Sequence, residues 1–192
     1  MMQKRKIILA SKSPRRKKLL EQIGLEFEIC QSNFDEDSVI LADPIELAKF
    51  LALKKAEAVA KNYDDAIIIG ADTFTILENK FIGKPKDKDE ARIILKNFSG
   101  REHKVITGLA IIDTASGQVI KETGQAVIKF RNLDEREIED YIATGEPLDA
   151  AGAYNMNDHG AALVESISGD YYTVVGLPLS KLYVELRKLG AI

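Results

Sequence analysis

Two short all-apolar runs, Ile7-Ile8-Leu9-Ala10 and Ala66-Ile67-Ile68-Ile69, constrain the fold more than any other feature of the chain. A strand with one face in water alternates apolar and polar residues, whereas a strand covered on both faces stays apolar throughout. Both runs are of the second kind, so each needs cover on both sides of its sheet. Helical patterns lie between them. Ser13 reads as an N-cap with Pro14 at the first helical position, Leu19, Leu20 and Ile23 form an inner face, and Gly24 stops the helix. Asp43-Pro44-Ile45-Glu46 opens a second helix with a cap, a proline and a capping-box glutamate, running to about Asn62.

The remaining elements follow the same logic. Glu26 to Gln31 alternates like a strand. The second apolar run ends in Gly70-Ala71-Asp72. Asp87 and Glu90 open a third helix that ends near Ser99-Gly100. Residues 102–113 and 118–130 read as long strands joined by the hairpin signal Thr114-Ala115-Ser116-Gly117. Asp134 to Gly145 reads as a capped helix, and the glycine-rich stretch Glu146 to Gly160 as a functional loop. Strand-like segments follow near Ala161 and Tyr171, then a last helix from Pro178 to Leu189, closed by Gly190. Strands and helices alternate until a hairpin interrupts them. This predicts an α/β fold around a mixed sheet with flanking helices, in one domain or one domain with a lobe.

Composition narrows the function class. A hydrophobic share of 45% and a charged share of 30% are ordinary for a soluble globular chain. The net charge of −3 argues against nucleic-acid binding by the molecule as a whole. Cys30 is the only cysteine, so no internal disulfide forms. No stretch has the length of a membrane span, and Ile7 to Ala10 is too short for a signal-peptide core. The expectation is a cytoplasmic protein with no nucleic-acid or membrane partner.

The chemistry-bearing residues are charged and scattered. Arg15 and Arg16 sit in the first turn of the first helix, the wrong end for cations because the helix N-terminus is already partly positive. With free backbone N–H groups and the Ser11 and Ser13 hydroxyls they make a phosphate site; the plainer alternative is a solvated basic face. Asp72 is expected just past the carboxyl end of its strand, where α/β sheets bind ligands, with Gly70 and Ala71 leaving room for a ligand or metal. Alone it would more often be a turn aspartate. One carboxylate of the cluster Asp35-Glu36-Asp37 could share Mg²⁺ or Mn²⁺ with Asp72, although such a cluster is more often solvated. Lys55 falls inside the apolar stripe of Ala48, Leu51, Ala52 and Val59, so it either snorkels or reaches an anion, whereas Lys54 points away. Lys84 is held extended by Pro85, as suits a fixed point charge. His103 and His159 lack metal-ligand spacing. Cations together with carboxylates are what phosphoryl or nucleotidyl hydrolysis requires.

At this point the sequence resembles the Maf family of septum-formation proteins, which are nucleoside triphosphate pyrophosphatases. The resemblance rests on an ordered set: Leu9-Ala10-Ser11-Lys12-Ser13-Pro14-Arg15-Arg16, Lys55-Ala56, Gly70-Ala71-Asp72-Thr73, Gly83-Lys84-Pro85, Ser99-Gly100-Arg101, Gly145-Glu146-Pro147, Gly152-Ala153-Tyr154 and Gly169-Asp170-Tyr171-Tyr172. It implies an elongated fold like that of inosine triphosphate pyrophosphatases, with a nucleotide in a cleft between two lobes. It implies cleavage between the α- and β-phosphates, dependent on Mg²⁺ or Mn²⁺, and a homodimer. Under it Asp72 matches the catalytic base and Glu36 an acidic metal or water ligand. Arg16, Lys55 and Lys84 match phosphate-binding residues, and Arg15 and Thr73 positions associated with base choice. Thr73 resembles the branch that prefers dTTP and UTP. Asn157, in Asn155-Met156-Asn157-Asp158, stands where that branch has glutamine, one methylene longer. A purine-directed enzyme, acting on inosine, xanthosine or methylated guanosine triphosphates, and a nucleotide-binding regulator of cell division without turnover are the alternatives.

Overall fold

The computed structural model describes residues 3–34 and 43–192. The elements are β1 (Ile7–Leu9), α1 (Pro14–Gln22), β2 (Glu28–Ile29), α2 (Pro44–Ala60), β3 (Ile67–Leu77), β4 (Lys80–Ile82), α3 (Lys88–Phe98), β5 (Glu102–Asp113), β6 (Val119–Phe130), α4 (Glu135–Ala143), β7 (Val164–Gly169), α5 (Tyr171–Val175) and α6 (Leu179–Lys188). Short 3₁₀ turns at Glu146–Asp149, Ala151–Ala153 and His159–Leu163 occupy the stretch between α4 and β7. Among the described residues seven strands form one sheet in the order β2-β1-β3-β5-β6-β7, with β4 paired to β3. β1 runs parallel to β2 and β3, while β4 and β7 run antiparallel to β3 and β6. The fold is therefore α/β with a mixed sheet and flanking helices.

The chain divides into two compact units. The first comprises Met1–Asp72, Thr107–Gly124 and Gly176–Ile192, and the second Thr73–Ile106 and Gln125–Val175. In the first, Ile7 to Leu9 and Ile67 to Ile69 are fully buried, as runs without alternation require. Their cover includes the apolar face of α2, where Ala52, Ala56 and Val59 pack with Ile8, Ala10, Ile68 and Ala110. The fit is close because glycines face the helix. A Cβ on Gly70 would overlap the Ala52 carbonyl oxygen, and one on Gly108 the Ala48 carbonyl oxygen. In the second unit Phe98 of α3, Phe130 of β6, Tyr141 and Ile142 of α4, Tyr154 and Leu163 share one core.

The helix starts stand where the capping residues put them. Ser13, Asp43, Asp87 and Asp134 cap α1, α2, α3 and α4, and Asp134 with Glu137 closes a full capping box. Glu46 does not extend the Asp43 cap into a box; its carboxylate accepts from Lys49 instead. The strand expected over Glu26 to Gln31 shrinks to two residues. Tyr171 opens a helix, not a strand. Asp170 accepts from the N–H groups of Tyr172 and Thr173 and from the Thr173 hydroxyl, and this local cap outweighs the β preference of the following residues. Ala161 lies in a 3₁₀ turn, and β7 begins three residues later.

Candidate functional site

The capped start of α1 separates the two arginines. Ser13 is extended, its hydroxyl accepts the Arg16 N–H at 3.5 Å, and its own N–H donates to Ser11 Oγ at 3.2 Å. Helical spacing then puts Arg16 on the same inward face as Leu19 and Leu20, and all three are buried. The Arg16 guanidinium donates through Nε to the Gly176 carbonyl at 2.8 Å and through Nη1 to Ser11 Oγ at 3.0 Å. Arg15 is half-buried and has no hydrogen-bond or ion-pair partner among the described residues. Lys12, Lys17 and Lys18 are exposed. The solvated basic face thus describes the lysines and not Arg16, whose burial requires fixed partners.

The Leu9–Ile69 register, and the bond from Ala10 N–H to the Ile69 carbonyl, bring the chain leaving β1 alongside Gly70. Two residues further on β3 is Asp72. It does not lie past the end of its strand, as expected, but in the middle of an eleven-residue strand. The reason is Lys55. Its ammonium reaches from α2 to within 2.5 Å of Asp72 Oδ1, and the two side chains are 11% and 9% exposed. A paired carboxylate can occupy a buried strand position that would be prohibitive for a lone one. The space at Gly70, expected for a ligand or metal, is taken by the backbone of α2, and this close approach lets Lys55 reach Asp72. Lys54, one position earlier, turns outward to Glu57.

The second unit holds the other expected residues. Lys84 is exposed and its ammonium lies 2.6 Å from Asp149 Oδ1, a partner that no local pattern predicts. Thr73 is half-buried in β3. Asn157 is exposed, and its Oδ1 accepts from the Tyr171 hydroxyl at 2.9 Å. Glu36 lies outside the described residues. Among those described, no three His, Cys, Asp or Glu side chains gather closely enough to hold a metal.

Two further groups in this unit went unassigned in the sequence. Burial pushes the Glu146 carboxyl up, but bonds from the His159 ring and from the His159 and Gly160 N–H groups hold it below its usual range. The same pair raises His159. His103 stacks on Phe98 with ring centroids 4.1 Å apart, and its Nε2 lies 2.9 Å from the Tyr154 hydroxyl. Its Nδ1 has no partner among the described residues, and burial pushes its pKa down to about 4. Tyr154 and Glu146 belong to the motifs Gly152-Ala153-Tyr154 and Gly145-Glu146-Pro147, but their partners are 51 and 13 residues away.

The structure therefore joins Ser11, Ser13 and Arg16, and joins Lys55 to Asp72, in the first unit. In the second it joins Lys84 to Asp149 and Asn157 to Tyr171.

Known proteins match the chain over nearly its whole length. A dTTP/UTP pyrophosphatase of Dictyoglomus turgidum is 46% identical over 188 residues, covering 97% of each chain. One of Thermoanaerobacter sp. is 47% identical over 184 residues, 95% of this chain and 96% of the relative. One of Clostridioides difficile is 44% identical over 186 residues, 97% of this chain and 96% of the relative. A solved Ham1 protein from Coxiella burnetii aligns with a TM-score of 0.46 and 14% identity over 66% of this chain and 73% of its own. The family described as Maf-like protein matches residues 6–189, and the chain belongs to that family.

Proposed function

We propose that the protein is a nucleoside triphosphate pyrophosphatase that hydrolyses dTTP or UTP between the α- and β-phosphates, releasing the monophosphate and pyrophosphate. The buried Lys55–Asp72 pair carries this reading. It puts a phosphate-seeking cation and a water-activating carboxylate in direct contact, in the unit that also buries Arg16 at a helix N-terminus. The names of the relatives support it.

In this proposal the phosphate oxygens compete with Asp72 for the Lys55 ammonium. Once Lys55 turns to phosphate, the Asp72 carboxylate is released to take a proton from the attacking water. The water oxygen bonds to the α-phosphorus, the bond to the bridging oxygen breaks, and the electron pair leaves with pyrophosphate. Arg16, with Ser11 and Ser13, offsets phosphate charge, and so does Lys84 after leaving Asp149. Arg15, Thr73 and Asn157 bear on the choice of base.

Asp72 fits a hard divalent cation, Mg²⁺ or Mn²⁺, because a carboxylate oxygen, phosphate oxygens and waters are the donors such ions take. Glu36 is the second donor in this reading. Bound there, the cation would neutralise charge on the phosphates. A cytoplasmic location and a homodimer belong to the same proposal. No helix among the described residues is long and apolar enough to cross a membrane.

The test is a panel of dTTP, UTP, dCTP and purine triphosphates with Mg²⁺ or Mn²⁺, following pyrophosphate release with and without chelator. Pyrophosphate from dTTP or UTP, abolished by chelator and by Asp72→Asn, is the expected result. Orthophosphate as the product, or full activity in Asp72→Asn, overturns the proposal.

A further inference from the structure

Asn157 stands on an exposed turn whose backbone is tied down. Its N–H donates to Asn155 Oδ1 at 3.2 Å, and the Asn155 N–H donates to the Tyr141 hydroxyl at 3.0 Å. The Asn155 Nδ2 donates to the Asp158 carboxylate. A carboxylate only accepts, so this bond decides which end of the Asn155 amide is nitrogen and turns its oxygen toward the Asn157 N–H. Gly160, at the end of the turn, packs so tightly that a Cβ there would press on the Tyr141 hydroxyl and the Asn155 carbonyl.

On this fixed turn the Asn157 side chain has one described partner, the Tyr171 hydroxyl, which donates to Oδ1 at 2.9 Å. Tyr171 is itself placed by Asp170, whose carboxylate accepts from the Tyr172 and Thr173 N–H groups, and by edge-on packing against Tyr172 at 5.5 Å. A primary amide has an accepting end and a donating end. Tyr171 holds the accepting end by one of its two lone pairs, and both N–H donors of the NH₂ group are left for a ligand.

We propose that Tyr171 is a positioning residue for base selection, turning the Asn157 amide so that it presents N–H donors to the base; this rests on the reading that Asn157 meets the base. Uracil and thymine carry the carbonyl acceptor O4 where cytosine carries an amino donor. A donor facing O4 makes a hydrogen bond, whereas a donor facing the cytosine amino group leaves both unpaired. Tyr171 thus converts an ambivalent side chain into one that favours pyrimidines with a 4-carbonyl.

The experiment compares kcat/KM for dUTP and dCTP in the full chain, Tyr171→Phe, Asn157→Ala and the double variant, with thermal melts as a check on folding. Equilibrium binding of dUMP and dCMP is measured on the same proteins by calorimetry. Tyr171→Phe is expected to lower the dUTP-to-dCTP preference about fivefold, the worth of one net hydrogen bond, chiefly through KM. Asn157→Ala should lower it equally, and the double variant no further. Asn157→Asp keeps an acceptor for Tyr171 but has no donor, so its preference should fall about tenfold or invert. An unchanged preference in Tyr171→Phe with a loss in Asn157→Ala overturns the role of Tyr171 and leaves base reading by Asn157 intact. Unchanged preference in both overturns the two together, and additive losses overturn action through Asn157. If Tyr171→Phe fails to fold, an unchanged preference in Asn157→Asp overturns the proposal. If no nucleotide is turned over, the catalytic reading falls, and the monophosphate binding ratios decide the role of Tyr171 by the same criteria.

Discussion

Lys55 Nζ lies 2.5 Å from Asp72 Oδ1, with the lysine on α2 and the aspartate in the middle of β3. Removing the lysine of such a pair leaves the buried carboxylate without its counter-charge, at a cost of about 3–5 kcal/mol. Lys55→Met should therefore destabilise by about that amount in urea unfolding. Lys55→Met combined with Asp72→Leu should recover most of the loss, while both variants stay without turnover. Stability that does not recover in the double variant would show that the pair is not what the site's rigidity rests on.

Gly70 sets the distance between that lysine and that aspartate. A Cβ there overlaps the Ala52 carbonyl and presses on Ala56, so α2 has to move. Gly70→Ala is expected to cost about 2 kcal/mol by overpacking and to reduce kcat, because the displaced helix carries Lys55. Gly83→Ala meets nothing within 4 Å and should leave the melting temperature unchanged, which makes it the control.

His103 makes stability depend on pH. Its folded pKa is pushed from 6.5 to about 4 by burial, so the unfolded chain binds the proton more readily. Stability from this residue is complete above about pH 6.5 and is lost as pH falls toward 4, by up to about 3 kcal/mol. His103→Phe should be less stable at neutral pH, since the Tyr154 hydroxyl loses its partner, but its unfolding free energy should vary less between pH 6.5 and 4. Parallel pH curves for the two proteins would contradict this.

The Lys84–Asp149 pair is exposed, with side chains 57% and 82% accessible, so it contributes about 0–1 kcal/mol to stability. Its effect should appear in binding. Asp149→Asn removes a competitor for the lysine, and KM for dTTP is expected to fall by up to about fivefold with little change in melting temperature. A raised KM would mean that Asp149 holds Lys84 in place rather than competing for it.

Much of the fold was legible because its signals are local. Ile7 to Leu9 and Ile67 to Ile69 are strands buried on both faces, as runs without alternation must be, and four helices start at the expected caps. The misreadings fell where a nearby hydrogen bond outweighed composition, as at Asp170 before α5, or where a distant partner changed what a position could hold, as at Asp72. At the site, Arg16 and Lys55 stood out because each is a cation in the wrong local setting, one at a helix N-terminus and one in an apolar stripe. What separates Arg16 from Arg15 in burial is helical spacing, since Arg16 lies three and four residues before Leu19 and Leu20 and shares their inward face.

The sequence by itself determined where strands and helices begin and which charges stand among apolar neighbours, because capping, periodicity and propensity act within a turn or two of the chain. Only the tertiary structure decided the partners. Lys55 meets Asp72 across 17 residues, Lys84 meets Asp149 across 65, and Arg16 meets the Gly176 carbonyl across 160. A hydrogen bond or ion pair depends on distances of a few ångströms, and for residues so far apart in the chain those distances are set by how helices and strands pack. Gly70 shows the dependence most directly. It reads as open space in the sequence, and in the fold it is the point where α2 closes on β3 and delivers Lys55 to its acid.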